Sequence, residues 1–321
     1  MKSVGITGPP GAGKTTLWRA VSGTEAKGEI AAVAVPDARL DALARMESSR
    51  RIVPVHFDLV DVHAAARSAP AAIARLREMD AVLIVVPAFA AGDPGGVLRS
   101  TLDDLVLADM APVETRLERA RKDLASRREV PVLEAALAHL GEGRLLSEGD
   151  WERDERAVFS PLAPITLKPL LVAWNLGEEG GDSLPETALP SIAISAALEG
   201  EVAGLEAEEA AGLLAAYGIE QRAADRTIAM VYGSLHLITF FTAGDREARA
   251  WEIPRGWTAP EAAGSVHSDM QRGFIRAEVI DYERVAATGS WQAAKSAGLI
   301  RVEGKDYVMA DGDVVFFRFA V

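Results

Sequence analysis

Short apolar runs alternate with helical segments over roughly the first two hundred residues of the chain. Residues 4–7 are short, apolar and β-branched, 53–61 are rich in Val and Phe, and 81–86, 170–174 and 191–194 are short apolar runs, which predicts strands. The run 81–86 has no polar alternation, the pattern of a strand buried on both faces. Residues 15–21 have helical composition. Strands alternating with helices predict a parallel sheet covered by helices on both sides, an α/β fold.

Between residues 102 and 145 the period changes. Leu102, Leu105, Val106, Val113, Leu117, Ala120 and Leu124, then Leu133, Ala136, Leu137 and Leu140, recur at spacings of three and four. The break at Glu129-Val130-Pro131 predicts an antiparallel helical hairpin. It either packs on its own domain or carries a surface to a partner, and the pattern leaves both open. A further helix is expected over 201–217, with Gly218 as its C-cap.

Beyond it the composition turns to β, at 235–241, 248–253, 274–280 and 314–319. Thr258-Ala-Pro-Glu261 has capping-box spacing and predicts a helix running toward Met270. Strands around a central helix make a separate α+β domain. The expected division is a nucleotide-fold segment 1–105, a hairpin insertion 106–150, a second nucleotide-fold segment 151–231 and a C-terminal domain 232–321.

The chain has 321 residues, a net charge of −13 and no cysteine. That excludes disulfides, thiolate catalysis and thiolate metal sites. No apolar run reaches the roughly 20 residues of a membrane span, and the N-terminus enters a glycine loop without a signal-peptide pattern, so a cytoplasmic protein is expected. The acidic balance opposes indiscriminate adhesion to nucleic acid. The charge is uneven, however: residues 232–321 hold 10 basic and 12 acidic side chains, and a basic island of Arg116, Arg119, Arg121, Lys122, Arg127 and Arg128 interrupts the acidic part.

The most specific chemistry is Gly8-Pro9-Pro10-Gly11-Ala12-Gly13-Lys14-Thr15, a G-x-x-x-x-G-K-[ST] phosphate loop between a predicted strand and helix. Glycines let successive N–H groups curl around a phosphate, the helix N-terminus adds positive potential, and Lys14 reaches the outer phosphates. Gly8, Gly11, Ala12, Gly13, Lys14, Thr15 and Thr16 are therefore expected to cradle a nucleotide, with the Thr15 hydroxyl on magnesium. A second magnesium group should end a neighbouring apolar strand; Asp61 is the candidate and Asp58 the fallback.

Thr166-Leu-Lys-Pro-Leu-Leu-Val-Ala-Trp-Asn175-Leu-Gly-Glu178, followed by Ile194-Ser195-Ala196 and Leu198-Glu199, resembles the base-recognition region of the YchF/Obg-like ATPases. Those are translation-factor-class P-loop NTPases. Thr239-Phe-Phe-Thr-Ala-Gly, Arg249-Ala-Trp-Glu-Ile-Pro and Gly273-Phe-Ile-Arg-Ala-Glu-Val-Ile are similar to that family's TGS domain, a ubiquitin-like β-grasp module. The resemblance implies a P-loop domain interrupted by a helical arm, then the TGS module. It implies a site including Asn175, Glu178, Ser195 and Ala196. Guanine is usually read by Asn-Lys-x-Asp; Asn175-Leu176-Gly177-Glu178 lacks that Lys and Asp, and the family with Asn-x-x-Glu favours ATP over GTP.

The chain departs from the family at three places. Asp61-Val62-His63-Ala64 has alanine where Asp-x-x-Gly has the glycine whose N–H meets the γ-phosphate. The interval 23–35 has no switch threonine in familiar context, Thr24 being the only hydroxyl near it. The loop 88–96 lacks the family's histidine, leaving His63 as the local candidate to position water. Binding with weak or absent hydrolysis is therefore expected. The function implied is a nucleotide-dependent regulator contacting ribosomes or RNA through Arg116, Arg119, Arg121 and Lys122. A non-hydrolysing interaction scaffold and a small-molecule kinase are the alternatives. Trp251, His236, His267 and Tyr307 read as packing residues of the C-terminal domain.

Overall fold

A computed structural model describes residues 1–23, 28–65, 68–89, 92–177, 184–202, 205, 207–216 and 221–320. In chain order the elements begin β1 (Lys2–Thr7), α1 (Lys14–Ser22), β2 (Ile30–Ala34), α2 (Ala38–Met46), β3 (Ile52–Val53), β4 (His56–Asp61), α3 (Val62–Ala65) and α4 (Ala69–Glu78). They continue with β5 (Ala81–Pro87), α5 (Pro94–Lys122), α6 (Val130–Gly141), α7 (Arg153–Phe159), β6 (Leu170–Asn175), β7 (Ser191–Ile194), α8 (Ala196–Val202), α9 (Ala207–Ala216) and α10 (Ala223–Ser234). The rest is β8 (Leu237–Ala243), β9 (Ala248–Pro254), α11 (Ala259–Val266), α12 (Ser268–Arg272), β10 (Phe274–Asp281), α13 (Tyr282–Thr288), α14 (Trp291–Ser296), β11 (Arg301–Glu303) and β12 (Asp313–Phe319). The chain forms two compact units: residues 1–33 with 57–235, and residues 34–56 with 236–321.

The first unit carries a sheet of strand order β2-β4-β1-β5-β6-β7. β1 pairs in parallel with β4 and β5, β5 with β6, and β6 with β7. As their unbroken apolar sequences predict, β6 is buried throughout and β5 up to Val86. One core joins Val82, Ile84 and Val86 of β5 to Leu76 of α4 and Val172 of β6. The same core includes Val113 and Leu117 of α5 and Leu133 and Leu140 of α6. The helical hairpin thus buries most of its periodic apolar positions inside its own unit, Leu124 remaining exposed. It is longer than the periodicity indicated: α5 starts at Pro94, and the turn is 123–129, Pro131 lying in the first turn of α6, where a missing N–H costs nothing.

The second unit has the sheet order β11-β10-β12-β8-β9-β3. β12 and β8 are parallel, while β8 with β9, β10 with β12 and β10 with β11 are antiparallel. Helix α11 covers one face, its Ala259, Ala262 and Ala263 meeting Phe240, Ile253, Val279 and Phe317. Phe240 and Phe317 pack edge to face at 5.9 Å, and Trp251 and Tyr307 are partly buried against the same core, as expected of packing residues, whereas His236 and His267, expected to pack as well, are exposed. The capping box forms, with Glu261 accepting from Thr258 N at 2.7 Å, but the helix stops at Val266 and His267 starts α12.

The division of the chain corrects the expected segment 1–105: residues 34–56 fold with the C-terminal unit. The Arg39 guanidinium stacks 5.1 Å from the Phe241 ring and donates to Asp311, while Ser49 donates to the Gly244 carbonyl. β3 pairs with β9. The expected single strand 53–61 is therefore two strands in different sheets, separated at Pro54, which has no N–H to give a ladder. The expected helix 201–217 is likewise divided into α8 and α9, and Gly218 lies outside the described residues.

Candidate nucleotide-binding site

The loop between β1 and α1 owes its course to two glycines in left-handed backbone regions. Gly8 has φ 138°, and a Cβ there would lie 2.2 Å from the Val85 carbonyl oxygen; Gly13 has φ 89°, and a Cβ there would meet Asn175 Nδ2 at 2.3 Å. Gly13 is also the N-cap of α1 and offers no side chain to the first turn, whose N–H groups then suit an anion. Lys14 Nζ donates to the carbonyls of Gly8 at 3.0 Å and Pro9 at 2.7 Å. Partial burial holds its ammonium below the ordinary lysine range, and the Asp61 carboxylate works against that shift.

Thr15 Oγ1 donates to Asp61 Oδ2 at 2.6 Å, and Asp61 is buried at the end of β4. Asp61, rather than the fallback Asp58, is the carboxylate at the loop. A hydroxyl and a carboxylate oxygen are the hard donors magnesium takes, and it normally completes its shell with phosphate and water. Among the described residues no group of three His, Cys, Asp or Glu forms a cage that would hold a metal by itself. The donor set therefore fits a metal arriving with a nucleotide. Two residues on, His63 Nε2 lies 3.1 Å from Thr7 Oγ1. Burial and then the Lys14 charge lower the His63 pKa, with Asp61 opposing, so the imidazole is neutral at pH 7.

At the other end stands Asn175, the last residue of β6 and 5% exposed. Its Nδ2 donates to the Ala12 carbonyl at 2.9 Å, and its Oδ1 accepts from Ala196 N at 2.9 Å. The expected base-reading asparagine thus ties the phosphate loop to the β7–α8 turn. Ser195 opens that turn, its Oγ accepting from Leu198 N at 3.4 Å. Glu178 and Thr24 lie outside the described residues. Thr16 is exposed on α1, and a Cβ at Gly200 would come within 3.7 Å of its methyl group.

The structure gathers Gly8, Gly11, Ala12, Gly13, Lys14, Thr15, Asp61, His63, Asn175, Ser195 and Ala196 around one loop. Phe89 was not among the expected residues. It is 49% exposed, its N–H donates to the Asn175 carbonyl at 3.1 Å, and it stands beside Gly177. An aromatic residue at the end of an otherwise apolar strand, in an alanine and glycine context, was the signal available. The basic island lies on the hairpin. Arg116 donates to both Glu129 oxygens at 2.8 Å and Arg121 to Glu134 at 2.7 Å, whereas Arg119, Lys122, Arg127 and Arg128 are exposed and make no ion pair among the described residues.

Residues 237–320 match the family YchF-GTPase_C, described as a protein of unknown function (DUF933). The ribosome-binding ATPase YchF of Bacillus subtilis (strain 168) is 32% identical over 369 residues, covering 99% of this chain and 99% of that protein. The protein of the same name from Haemophilus influenzae is 35% identical over 358 residues, covering 99% of each. Obg-like ATPase 1 of Oryza sativa subsp. japonica is 30% identical, covering 99% of this chain and 92% of that one. Among solved structures, the Schizosaccharomyces pombe YchF GTPase matches with a TM-score of 0.91 and 28% identity, over 99% of this chain and 97% of that one. The 369-residue alignment exceeds this chain's 321 residues, so the B. subtilis protein has stretches with no counterpart here. Identity at this level over nearly the full length of both partners, on the same P-loop fold with its C-terminal domain, makes this chain a member of the YchF/Obg-like family of P-loop NTPases.

Proposed function

We propose that the chain binds a magnesium nucleotide on the loop 8–16, prefers ATP to GTP, hydrolyses it slowly and associates with ribosomes through the turn of its helical hairpin. The observation that carries the reading is the joining of three groups: the Lys14 loop, the Thr15–Asp61 pair, and Asn175 bridging to Ala196. When bound, magnesium supplies charge neutralisation at the outer phosphates. Thr15 and Asp61 would hold it, directly or through water, and Lys14 would turn from the Gly8 and Pro9 carbonyls to the phosphates. The missing Lys and Asp of the guanine signature support ATP, and Phe89 offers an apolar face beside residues 176–177 for a base.

Slow hydrolysis is supported by Ala64 in the glycine position and by the bond that engages His63 with Thr7. A neutral imidazole can still orient or deprotonate water once released from that threonine. The names of the B. subtilis and H. influenzae relatives support ribosome association. Arg119 and Lys122, which make no ion pair among the described residues, together with Leu124, which is 84% exposed, are the surface that suits RNA phosphates.

Titration with ATP and GTP in magnesium, on the wild type and Lys14→Ala, tests the nucleotide reading; equal or tighter GTP binding overturns the ATP preference. Single-turnover hydrolysis as fast as that of the H. influenzae relative overturns the slow-turnover reading. Co-sedimentation with ribosomes at two salt concentrations tests the hairpin. The double variant Arg119→Glu with Lys122→Glu should lose binding, and retained binding rules out that surface.

A further inference from the structure

We propose that the cleft between α4 and α5 is a second ligand site, shaped for a small apolar molecule bearing one positive charge. The cleft encloses about 830 Å³, inside the roughly 300–1,000 Å³ usual for small-molecule sites. Ala69, Ala72, Ile73 and Leu76 of α4 form one wall, and Val97, Leu105 and Ala108 of α5 the other. Its inner end is the start of the phosphate loop at Thr7 to Pro10 with His63; its rim holds Ser100, Asp104 and Leu107. Lys14, Thr15, Asn175 and Ala196 are absent from its lining, so it is a separate site that shares a wall with the nucleotide cradle. The proposal goes beyond the nucleotide reading and does not rest on it.

Alanines at 69, 72 and 108 explain why the two helices leave this space where larger side chains would close it. The walls continue the core, which includes Ala72, Leu76 and Leu105, and Leu107 at the mouth is 62% exposed. The interior has little polarity to offer, since the Thr101 hydroxyl is engaged by the Val97 carbonyl at 2.9 Å. The charge at the rim is one-sided. Asp104 is exposed and makes no ion pair or hydrogen bond among the described residues, and among those residues no Lys or Arg lines the cleft. Ser100 stands four residues before Asp104, on the same face of α5. The cleft therefore selects a body that fills apolar space and a cationic head, such as an ammonium, at Asp104 and Ser100. A carboxylate on the same body would be repelled.

Calorimetric titration of the full chain with 2-phenylethylamine, 2-phenylethanol and 3-phenylpropionate tests this. The amine should bind saturably, the alcohol about fivefold more weakly, as expected for one partly exposed charge pair, and the acid not measurably. Asp104→Asn should bring the amine to the level of the alcohol. Ser100→Phe and Ala69→Phe, at exposed positions on different helices, should fill the cleft and abolish binding of both, with thermal unfolding showing that at least one variant folds. Lys14→Ala should leave amine binding unchanged, which separates this site from the nucleotide reading. Binding of the acid as strong as the amine, amine binding that survives the filling variants, or no saturable binding of the amine overturns the proposal.

Discussion

At the phosphate end of the candidate site, nine consecutive residues supply the N–H groups, the ammonium and the hydroxyl, and the glycines among them shape the loop. At the base end the parts come from three separated places: Phe89 after β5, Asn175 to Gly177 after β6, and Ser195 with Ala196 before α8. What holds the second set in register is one buried side chain, Asn175, whose two hydrogen bonds join Ala12 to Ala196. The contrast teaches that a contiguous motif carries its own geometry in backbone preferences, whereas a dispersed site needs a tertiary tether. It also gives Asn175 a structural role beside any contact with a base, because its amide spends one N–H and one oxygen lone pair on protein groups and keeps a second of each.

The sharpest way to break this comparison is Asn175→Ala. It leaves the Ala12 carbonyl and the Ala196 N–H without their partners in a buried place, and should lower folding stability by about 2–4 kcal/mol in denaturant unfolding. A loss below about 1 kcal/mol would mean that the two ends are held by something else. Lys14→Ala should behave oppositely: magnesium-ATP binding weakens by about 2 kcal/mol, or roughly thirtyfold, with no loss of folding stability. The reason is that burial already disfavours the charged ammonium in the folded chain. A large stability loss in that variant would show that the Gly8 and Pro9 bonds to Lys14 shape the loop.

His63 gives a smaller effect with a definite sign. Its folded pKa lies below the ordinary 6.5, so the unfolded chain takes up a proton first as the pH falls. Stability should therefore decline from about pH 6.5 down to the folded pKa and then level off. Titration of the imidazole by NMR should show the low value, and Asp61→Asn should lower it further, because Asp61 is the group holding it up. An unchanged or raised value would mean that the two side chains do not face each other. The smallest change is expected on the hairpin: Arg121 and Glu134 are both half exposed, so Arg121→Ala should cost only about 0–0.5 kcal/mol of stability.

Much of the fold was legible in the sequence. The buried strands β5 and β6 announce themselves as unbroken apolar runs, the hairpin by its period, and the phosphate loop by a motif that works only between a strand and a helix. Residues 34–56 were not legible, because a helix between two β segments looks the same whether its apolar face, with Leu40 and Leu43, meets one sheet or another. Pro54 was visible, yet it reads as a weak place in one strand until β3 is seen paired with β9. The basic island was visible as composition only. Its sorting into paired Arg116 and Arg121, and Arg119 and Lys122 without an ion pair among the described residues, depends on Glu129 and Glu134, each 13 residues from its arginine and brought near by the turn.

By itself the sequence determined what local physics can determine: where backbone curls around an anion, which segments must be buried, how charge is distributed along the chain, and which family words are present. The tertiary structure decided which polar groups are already committed and which remain to meet a ligand. That decision rests on distance, and distance between residues as far apart in sequence as Ala12 and Asn175 is set by the packing of the whole unit rather than by either residue's neighbours.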